Sequence, residues 1–598
     1  MMARGDRCCP EDCICKGGIG ILRAQGTVEG DWQRTCTCIS CRALLASRPT
    51  RQRAGSSRTS GLWLATTVIT LWGLASALAQ DGLNSAQKKF ASESAAGRWG
   101  TQLDGTFVNP VLPGDFSDLD AIRVGDDFYA ISSTLQYSPG MLVLHSRDLV
   151  SWQIVGHVVS DLTELDPELA SDRMGRDGRG IWAGAIRWHA GRFWVYFGTP
   201  DEGIYVASAA RPTGPWSRPK LMLAAAGWDD PCPFWDDDGK GYLVTTHFAA
   251  DRDGEKYRIH LFAMTPENDA ILPASDRVIH QSRGSEANKM YKVDGVYLHY
   301  FSEVRPEGRV AMMERTKNLN GPGEVRQLNH VHPAVDKEPN QGGLIQLKDG
   351  RWWFLTHQGQ GDWEGRAGVL LPVTWIDGWP ILGDPGPDRI GEMVWGAPSP
   401  IASNLKPYLF ASDNFTERSL SPVWEWRYQP QANAWSLTGH ALHLDALTPL
   451  GGKTGFGAVR NVLTQRVARV ASGSATVRIN VRGMVDGQEA GMAHFARTNC
   501  RLAVTQTNNL RRVVRIDGET QTAGPVISLK SLWLRSTWGV EGLATLAYSL
   551  DGSEFHEVGD SCHLSWGSYR GDRIGLYTLN ARKSEGSVDF TQFRYEVR

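Results

Sequence analysis

The sequence predicts an all-β protein: a five-bladed β-propeller followed by a β-sandwich. Two patterns carry the prediction. A tight turn followed by an aromatic and aliphatic run occurs five times between residues 126 and 356. Beyond residue 400 the chain turns to alternating, strand-like segments, and no long amphipathic helix interrupts either region.

Residues 1–79 read as an upstream extension ending in a signal peptide. Arg51, Arg53 and Arg58 precede the apolar stretch from Leu62 to Leu74, and Ala77-Leu78-Ala79 closes it before Gln80. A basic start, a short apolar core and a small-residue exit are the parts of a secretory signal, so residues from Gln80 onward are expected to be secreted or periplasmic. A retained membrane anchor is the competing reading of the same stretch. Seven cysteines lie upstream: Cys8, Cys9, Cys13, Cys15, Cys36, Cys38 and Cys41. Their C-x-C and C-x-x-C spacings suit zinc, but the segment has no hydrophobic core and precedes an export signal. It is therefore read as an extension. Cys232, Cys500 and Cys562 follow the signal, and the last two share a domain.

The segment 80–105 is polar and small, and is expected to be a flexible tail. The propeller is placed at 106–400. Its turns are anchored at 126, 191, 239, 295 and 350, spacings of 65, 48, 56 and 55 residues that leave room for about four short strands each. Typical copies are Gly191-Arg192-Phe193-Trp194-Val195-Tyr196 and Gly350-Arg351-Trp352-Trp353-Phe354-Leu355. Four anchors have Gly in the turn, where a positive φ is cheap, and branched or aromatic residues then form a strand. Ala397-Pro398-Ser399-Pro400 marks the boundary. The sandwich is placed at 406–598, with strands expected over 475–481, 512–516 and 543–548.

Charge narrows the function. Residues 1–79 hold ten Lys or Arg against five Asp or Glu, so 53 of the 63 basic and 60 of the 65 acidic residues fall after it. An acidic mature chain without a basic stripe argues against nucleic acid, and against a membrane partner once the signal is cleaved. Twenty of the 23 Trp also follow the signal, and exposed ones among them suit the apolar faces of sugar rings.

Three segments place an acid just ahead of a turn: Asp118 before the first, Asp230 before the third and Glu286 before the fourth. Each should face the propeller axis from its own blade. Carboxylates on an apolar floor are expensive to desolvate, and function is the usual reason to keep them there. On a straight strand Asp120 would share a face with Asp118, whereas Asp115 would point away, so Asp120 is the closer rival. Asp236, Asp237 and Asp238 read as turn residues.

From residue 107 to about 390 the chain resembles glycoside hydrolase family 43, the five-bladed β-xylosidases and α-L-arabinofuranosidases. The resemblance extends to that family's C-terminal concanavalin-like sandwich. It is carried by Asn109-Pro110-Val111-Leu112-Pro113-Gly114 with Asp118, by Asp230-Pro231, by Glu286, by Asn340-Gln341-Gly342-Gly343, and by the stretches 352–358 and 372–380. It implies that Asp118 is the general base, Glu286 the general acid, and Asp230 the residue that orients the acid and tunes its pKa. The expected reaction is inverting hydrolysis, with room for water between base and acid, roughly 6.5–9.5 Å.

Departures from the family pattern also stand out. Leu119-Asp120 follows the base where Pro-Ser is commoner, Ala287-Asn288 follows the acid in place of Gly-Pro, and Trp182-Ala183-Gly184-Ala185 replaces W-A-P-D. Trp182, Gln341, His357 and Arg366 are expected to bind substrate. Trp182 reads equally as a core Trp, and Arg366 as a strand cap. His357 reads either as a satisfied core histidine or as the family's central His, next to Ca²⁺ through water. No cofactor is required.

The expected activity is exo-acting release of terminal xylose from plant cell-wall xylo-oligosaccharides, with α-L-arabinofuranosidase activity as the alternative. A retaining fructan hydrolase would need Asn-Asp-Pro and Arg-Asp-Pro motifs, and neither is present. A non-catalytic sugar-binding propeller is the reading from another class, and the presence of all three carboxylates weighs against it.

Overall fold

Five four-stranded antiparallel sheets follow one another along the chain. The computed structural model describes residues 84–248, 256–330, 340–358, 362–452, 455–567 and 569–598. The cysteine-rich extension and the signal-like segment lie outside the described residues.

Each sheet is a propeller blade whose first strand in sequence is the innermost. These inner strands are Asp120–Val124, Gly184–His189, Trp228–Trp235, Glu286–Val293 and Gly342–Gln346, in blades 1 to 5. Each packs against the next, and the fifth returns to the first, which closes the ring. Apolar side chains fill every gap between blades. Ile131 and Val143 meet Ile186 and Phe197, Val206 meets Leu243 and Phe262, and Val244 meets Met290 and Phe301. Tyr300 and Met313 meet Phe354 and Leu371, and Leu355 and Leu370 close onto Ala130 and Leu144.

All five sequence repeats are the hairpin from the inner strand to the second strand of a blade. Gly125, Gly191, Gly239, Gly295 and Gly350 take φ from +65° to +89° in these turns. The first hairpin thus has its glycine too, one residue ahead of the anchor at 126.

The segment 84–105 is not the expected tail. A helix, α1 (Ser85–Ala95), is capped by Asn84, whose side chain accepts from the Gln87 N–H. Gln87 is buried and clamps the end of the propeller. Its Nε2 donates to the Gly396 carbonyl at 2.9 Å, and its Oε1 accepts from the Trp395 N–H at 2.7 Å. A small sheet of Gly100–Thr101, Thr106–Val108 and Gly396–Pro398 joins the start of the propeller to its exit. Ala397-Pro398 therefore belongs to the propeller.

Beyond it, a seven-stranded and an eight-stranded antiparallel sheet form the sandwich. The three segments expected as strands lie in Gly473–Asn480, Leu510–Asp517 and Leu543–Ser549. Val477, Ile479, Leu502, Leu534, Leu576 and Phe590 are buried between the sheets, in one apolar cluster that continues into blade 1. Cys500 and Cys562 are buried, free thiols in mutual hydrogen-bond contact. Among the described residues no helix is long and apolar enough to cross a membrane.

Candidate active site

Asp118, Asp230 and Glu286 come from blades 1, 3 and 4, each at or near the start of an inner strand. At all three places the backbone is left-handed in a residue other than glycine: Asp118 at φ +57°, Asp230 at +52° and Ala287 at +69°. Such conformations are strained in residues with a Cβ and persist only where the surroundings enforce them. Two coincide with bulges, as register shifts between Asp229 and Cys232 and between Glu286 and Lys289. A bulge re-aims side chains, so strand alternation no longer decides which way they point.

Asp118 precedes its strand, and this corrects the face-sharing expected for Asp120. Asp120 is fully buried between blades 1 and 2, where Oδ2 accepts from the Ile186 N–H at 2.9 Å and from Arg187 at 2.6 Å. Asp115 turns toward the sandwich, 3.6 Å from Arg573. Asp236 pairs with Lys292 and Tyr297 at the outer end of its hairpin.

Asp118 has its two oxygens held separately. Oδ2 accepts from Ser133 Oγ at 2.5 Å and Oδ1 from Arg366 Nη1 at 3.0 Å, with His357 Nε2 at 3.8 Å. Glu286 accepts on Oε1 from Asn340 Nδ2 at 3.3 Å and lies 3.2 Å from Arg309. Its side chain keeps 26% of its exposure, so it can reach a ligand. Asp230 is buried beneath it. Oδ2 accepts from the Ala287 N–H at 2.5 Å and Oδ1 from Gln341 Nε2 at 2.5 Å. Burial, then the charge of Glu286, pushes the Asp230 carboxyl up to about 7, while Lys289 opposes the shift and Asp118 adds to it. Asp229 joins this acidic group. Burial and the adjacent Asp230 hold its carboxyl well above the usual range, and its Oδ1 is buried without a hydrogen-bond partner.

The other expected contacts are placed as follows. Trp182 is half-buried and stacks on Phe248 at 5.7 Å between centroids, with Nε1 donating to the Gly178 carbonyl. Gln341 is buried, with both ends of its amide engaged by Lys289 and Asp230. His357 is fully buried beside Asp118, and its Nδ1 lies 3.0 Å from the Gln358 carbonyl. Burial, helped by Arg366, brings its pKa down to about 4, so it is neutral at ordinary pH. Among the described residues no three His, Cys, Asp or Glu side chains are arranged to hold a metal ion.

Ser133, Arg309 and Tyr569 carry no signal in the sequence, and Asn340 has one only as part of the Asn340-Gln341-Gly342-Gly343 stretch. Ser133 follows the second strand of blade 1, Asn340 precedes the inner strand of blade 5, Arg309 lies on the third strand of blade 4, and all three hold the acids. Tyr569 arrives from the sandwich, with its ring 5.1 Å from the Arg366 guanidinium and 64% exposed. Its carbonyl lies 3.5 Å from Ser117 Oγ. Ser133, Arg309 and Asn340 lie 15, 23 and 54 residues from the acids they hold, whereas Tyr569 comes from 452 residues beyond Ser117.

Known protein families match both domains of the chain. Residues 107–380 match the model of glycosyl hydrolases family 43, and residues 412–596 match the β-xylosidase C-terminal concanavalin A-like domain. A β-xylosidase of Formosa agariphila is 30% identical over 555 residues, 85% of this chain and 93% of that protein. This chain belongs to glycosyl hydrolases family 43. It is a glycosidase that hydrolyses O-glycosyl bonds. The family 43 enzyme is also similar to a non-reducing-end α-L-arabinofuranosidase of Bacteroides ovatus, 32% identical over 56% of this chain and 63% of that protein. Among solved structures it resembles a bifunctional GH43-CE protein of Bacteroides eggerthii, 27% identical with a TM-score of 0.72, over 82% of this chain and 64% of that one.

Proposed function

We propose that this enzyme is an exported, exo-acting β-xylosidase that releases terminal xylose from xylo-oligosaccharides with inversion. The observation that carries the reading is the division of labour among the three carboxylates. Asp118 is aligned by Ser133 and Arg366 just ahead of the inner strand of blade 1. There it takes the proton of a water that attacks the anomeric carbon. Glu286, on the far side in blade 4, gives its proton to the leaving oxygen. Asp230 grips the backbone of the residue after Glu286, so the acid cannot swing away as the leaving group departs.

Xylose is favoured over other glycones because the relative with nearly full coverage, in Formosa agariphila, is named a β-xylosidase, and because the sandwich matches the β-xylosidase C-terminal model. Arabinofuranose is the second reading, favoured by the likeness to the Bacteroides ovatus arabinofuranosidase. Export rests on the Ala77-Leu78-Ala79 exit ahead of Gln80.

Turnover of 4-nitrophenyl β-D-xyloside and 4-nitrophenyl α-L-arabinofuranoside, followed by proton NMR in the first minutes, tests the proposal. Faster xyloside cleavage with α-xylose as the first product is expected. β-Xylose as the first product from the xyloside, or α-arabinose from the arabinofuranoside, overturns inversion, and preference for the arabinofuranoside transfers the reading to the alternative.

A further inference from the structure

Behind the three carboxylates lies a cation that the mechanism has not used. Lys289 sits on the inner strand of blade 4, three residues after Glu286, and its side chain is completely buried. In a regular strand two residues three apart face opposite sides. The bulge between Glu286 and Lys289 removes that alternation and lets both serve the same end of the funnel. A buried ammonium is costly unless it is matched by acceptors and by opposite charge.

Lys289 Nζ donates to Gln341 Oε1 at 2.8 Å, and Gln341 Nε2 donates to Asp230 Oδ1 at 2.5 Å. The other oxygen of Asp230 accepts from the Ala287 N–H at 2.5 Å. The chain of contacts thus leaves blade 4 at Lys289, crosses blade 5 at Gln341, enters blade 3 at Asp230, and returns to blade 4 next to Glu286. We propose that Lys289 is a positioning residue, a buried cation that works through Gln341 to hold Asp230 in place beneath Glu286. The inference rests on the reading above that Asp230 serves the acid.

The chemistry of the amide is what makes the relay directional. A lysine ammonium only donates and a carboxylate only accepts, so a glutamine between them has one stable orientation, oxygen toward Lys289 and nitrogen toward Asp230. Without the cation the amide is free to flip, and its oxygen would then oppose the carboxylate. The charges around Asp230 make that support necessary. Asp229 lies beside it on its own strand, Asp118 faces it from blade 1 and Glu286 from blade 4, and all three oppose its ionisation or share its sign. His357 of blade 5 is uncharged. Arg187 of blade 2 reaches Cys232 on the Asp230 strand at 3.0 Å, but it is paired with Asp120. Arg309 lies against Glu286. Lys289 is the cation whose charge favours the ionised form of Asp230.

The test measures kcat and KM against pH on 4-nitrophenyl β-D-xyloside for wild type, Lys289→Met, Gln341→Met, Asp230→Asn and the Lys289→Met/Asp230→Asn double variant, with the arabinofuranoside substituted if that is the faster substrate. Lys289→Met and Gln341→Met are expected to lower kcat about tenfold, leave KM unchanged, and move one limb of the pH–kcat profile upward by about one unit, the size of effect one nearby charge has. In the Asp230→Asn background Lys289→Met should add little, since the charge it supports is gone. Gln341→Met keeps the lysine and carries the test should Lys289→Met fail to fold. Folded single variants with an unmoved profile, or full additivity in the double variant, overturn the inference. Wild-type activity in Asp230→Asn instead overturns the underlying reading of Asp230, so the two failures are distinguishable.

Discussion

Arg466 of the sandwich donates from Nε to the main-chain carbonyl of Asp115 at 2.7 Å, three residues ahead of Asp118. The segment that carries the base is therefore anchored from the other domain. Its guanidinium lies 5.0 Å from the Phe116 ring, and Arg573 lies 4.1 Å from the Tyr137 ring and 3.6 Å from Asp115. Glu425 neutralises both arginines, at 3.1 Å from Arg466 and 2.6 Å from Arg573, with His157 of blade 1 at 3.0 Å. The sandwich is thus part of the frame of the site.

Removing Glu425 should test that frame. The Glu425→Ala variant removes the counter-charge shared by two fully buried arginines, leaving only Asp115 at 3.6 Å from Arg573, and should lose about 3–5 kcal/mol of stability. Its two arginines hold the Glu425 carboxyl far below the usual range, against burial, so the stability it supplies is present above the ordinary carboxylate pKa and is lost as pH falls. Denaturant unfolding of wild type and variant checks both statements. Equal midpoints at pH 7 would show that the cluster is not structural.

The base and the acid should separate by leaving group. Asp118→Ala should be inactive on every glycoside, because no water is activated. Glu286→Ala should lose about 10²–10⁴-fold on a natural disaccharide but much less on a nitrophenyl glycoside, whose leaving group needs little protonation. Steady-state rates on the two substrate types decide it, and full activity of Asp118→Ala would remove the assignment.

Tyr569 should matter to binding more than to chemistry. Its exposed ring covers Arg366, which in turn holds Asp118. An exposed cation–π contact is worth about 0.5–1 kcal/mol, so Tyr569→Ala should raise KM about two- to fivefold while the protein stays folded. Kinetics on xylobiose and on 4-nitrophenyl xyloside give the comparison. An unchanged KM on both would place the ring outside the binding cavity.

Ala287 occupies a left-handed position in which its Cβ is unfavourable. Ala287→Gly should relieve roughly 1 kcal/mol of strain, offset in part by the greater freedom of the unfolded chain. The expected result is a fully active enzyme with a melting temperature equal to or slightly above wild type. A loss of several degrees would refute the strain.

Glu364 is buried between propeller and sandwich, with Oε2 lacking a hydrogen-bond partner and Arg469 at 3.6 Å. Burial pushes its carboxyl up to about 7 from the ordinary 4.5, although Arg469 works against the shift. The folded state therefore keeps a proton that the unfolded state releases, and stability is lost as pH rises from about 4.5 to 7, by up to about 3 kcal/mol. Glu364→Gln should flatten this fall. Melting curves across that window check the sign.

The sequence alone determined the blades, because a glycine turn followed by apolar residues is a local pattern, and a strand that follows a tight hairpin needs nothing distant to specify it. It also marked Asp118, Asp230 and Glu286 as motif residues, each set just ahead of a turn. What it left undecided depends on long-range contact. Alternation pointed to Asp120 as a partner of Asp118, but the left-handed turn at Asp118 sends the two acids to different places, and a non-glycine residue in that conformation has no local signature. The polar stretch 80–105 reads as a tail, yet Gln87 finds its two partners more than 300 residues away and the helix docks. Gln341 reads as a sugar contact until Lys289 and Asp230 are seen to hold both ends of its amide. Tyr569 and Arg466 belong to a second domain and meet the base only when the two pack together. Hydrophobic period and turn chemistry are written locally, while the partners of buried polar groups are fixed only when the ring of blades closes and the sandwich seats against it.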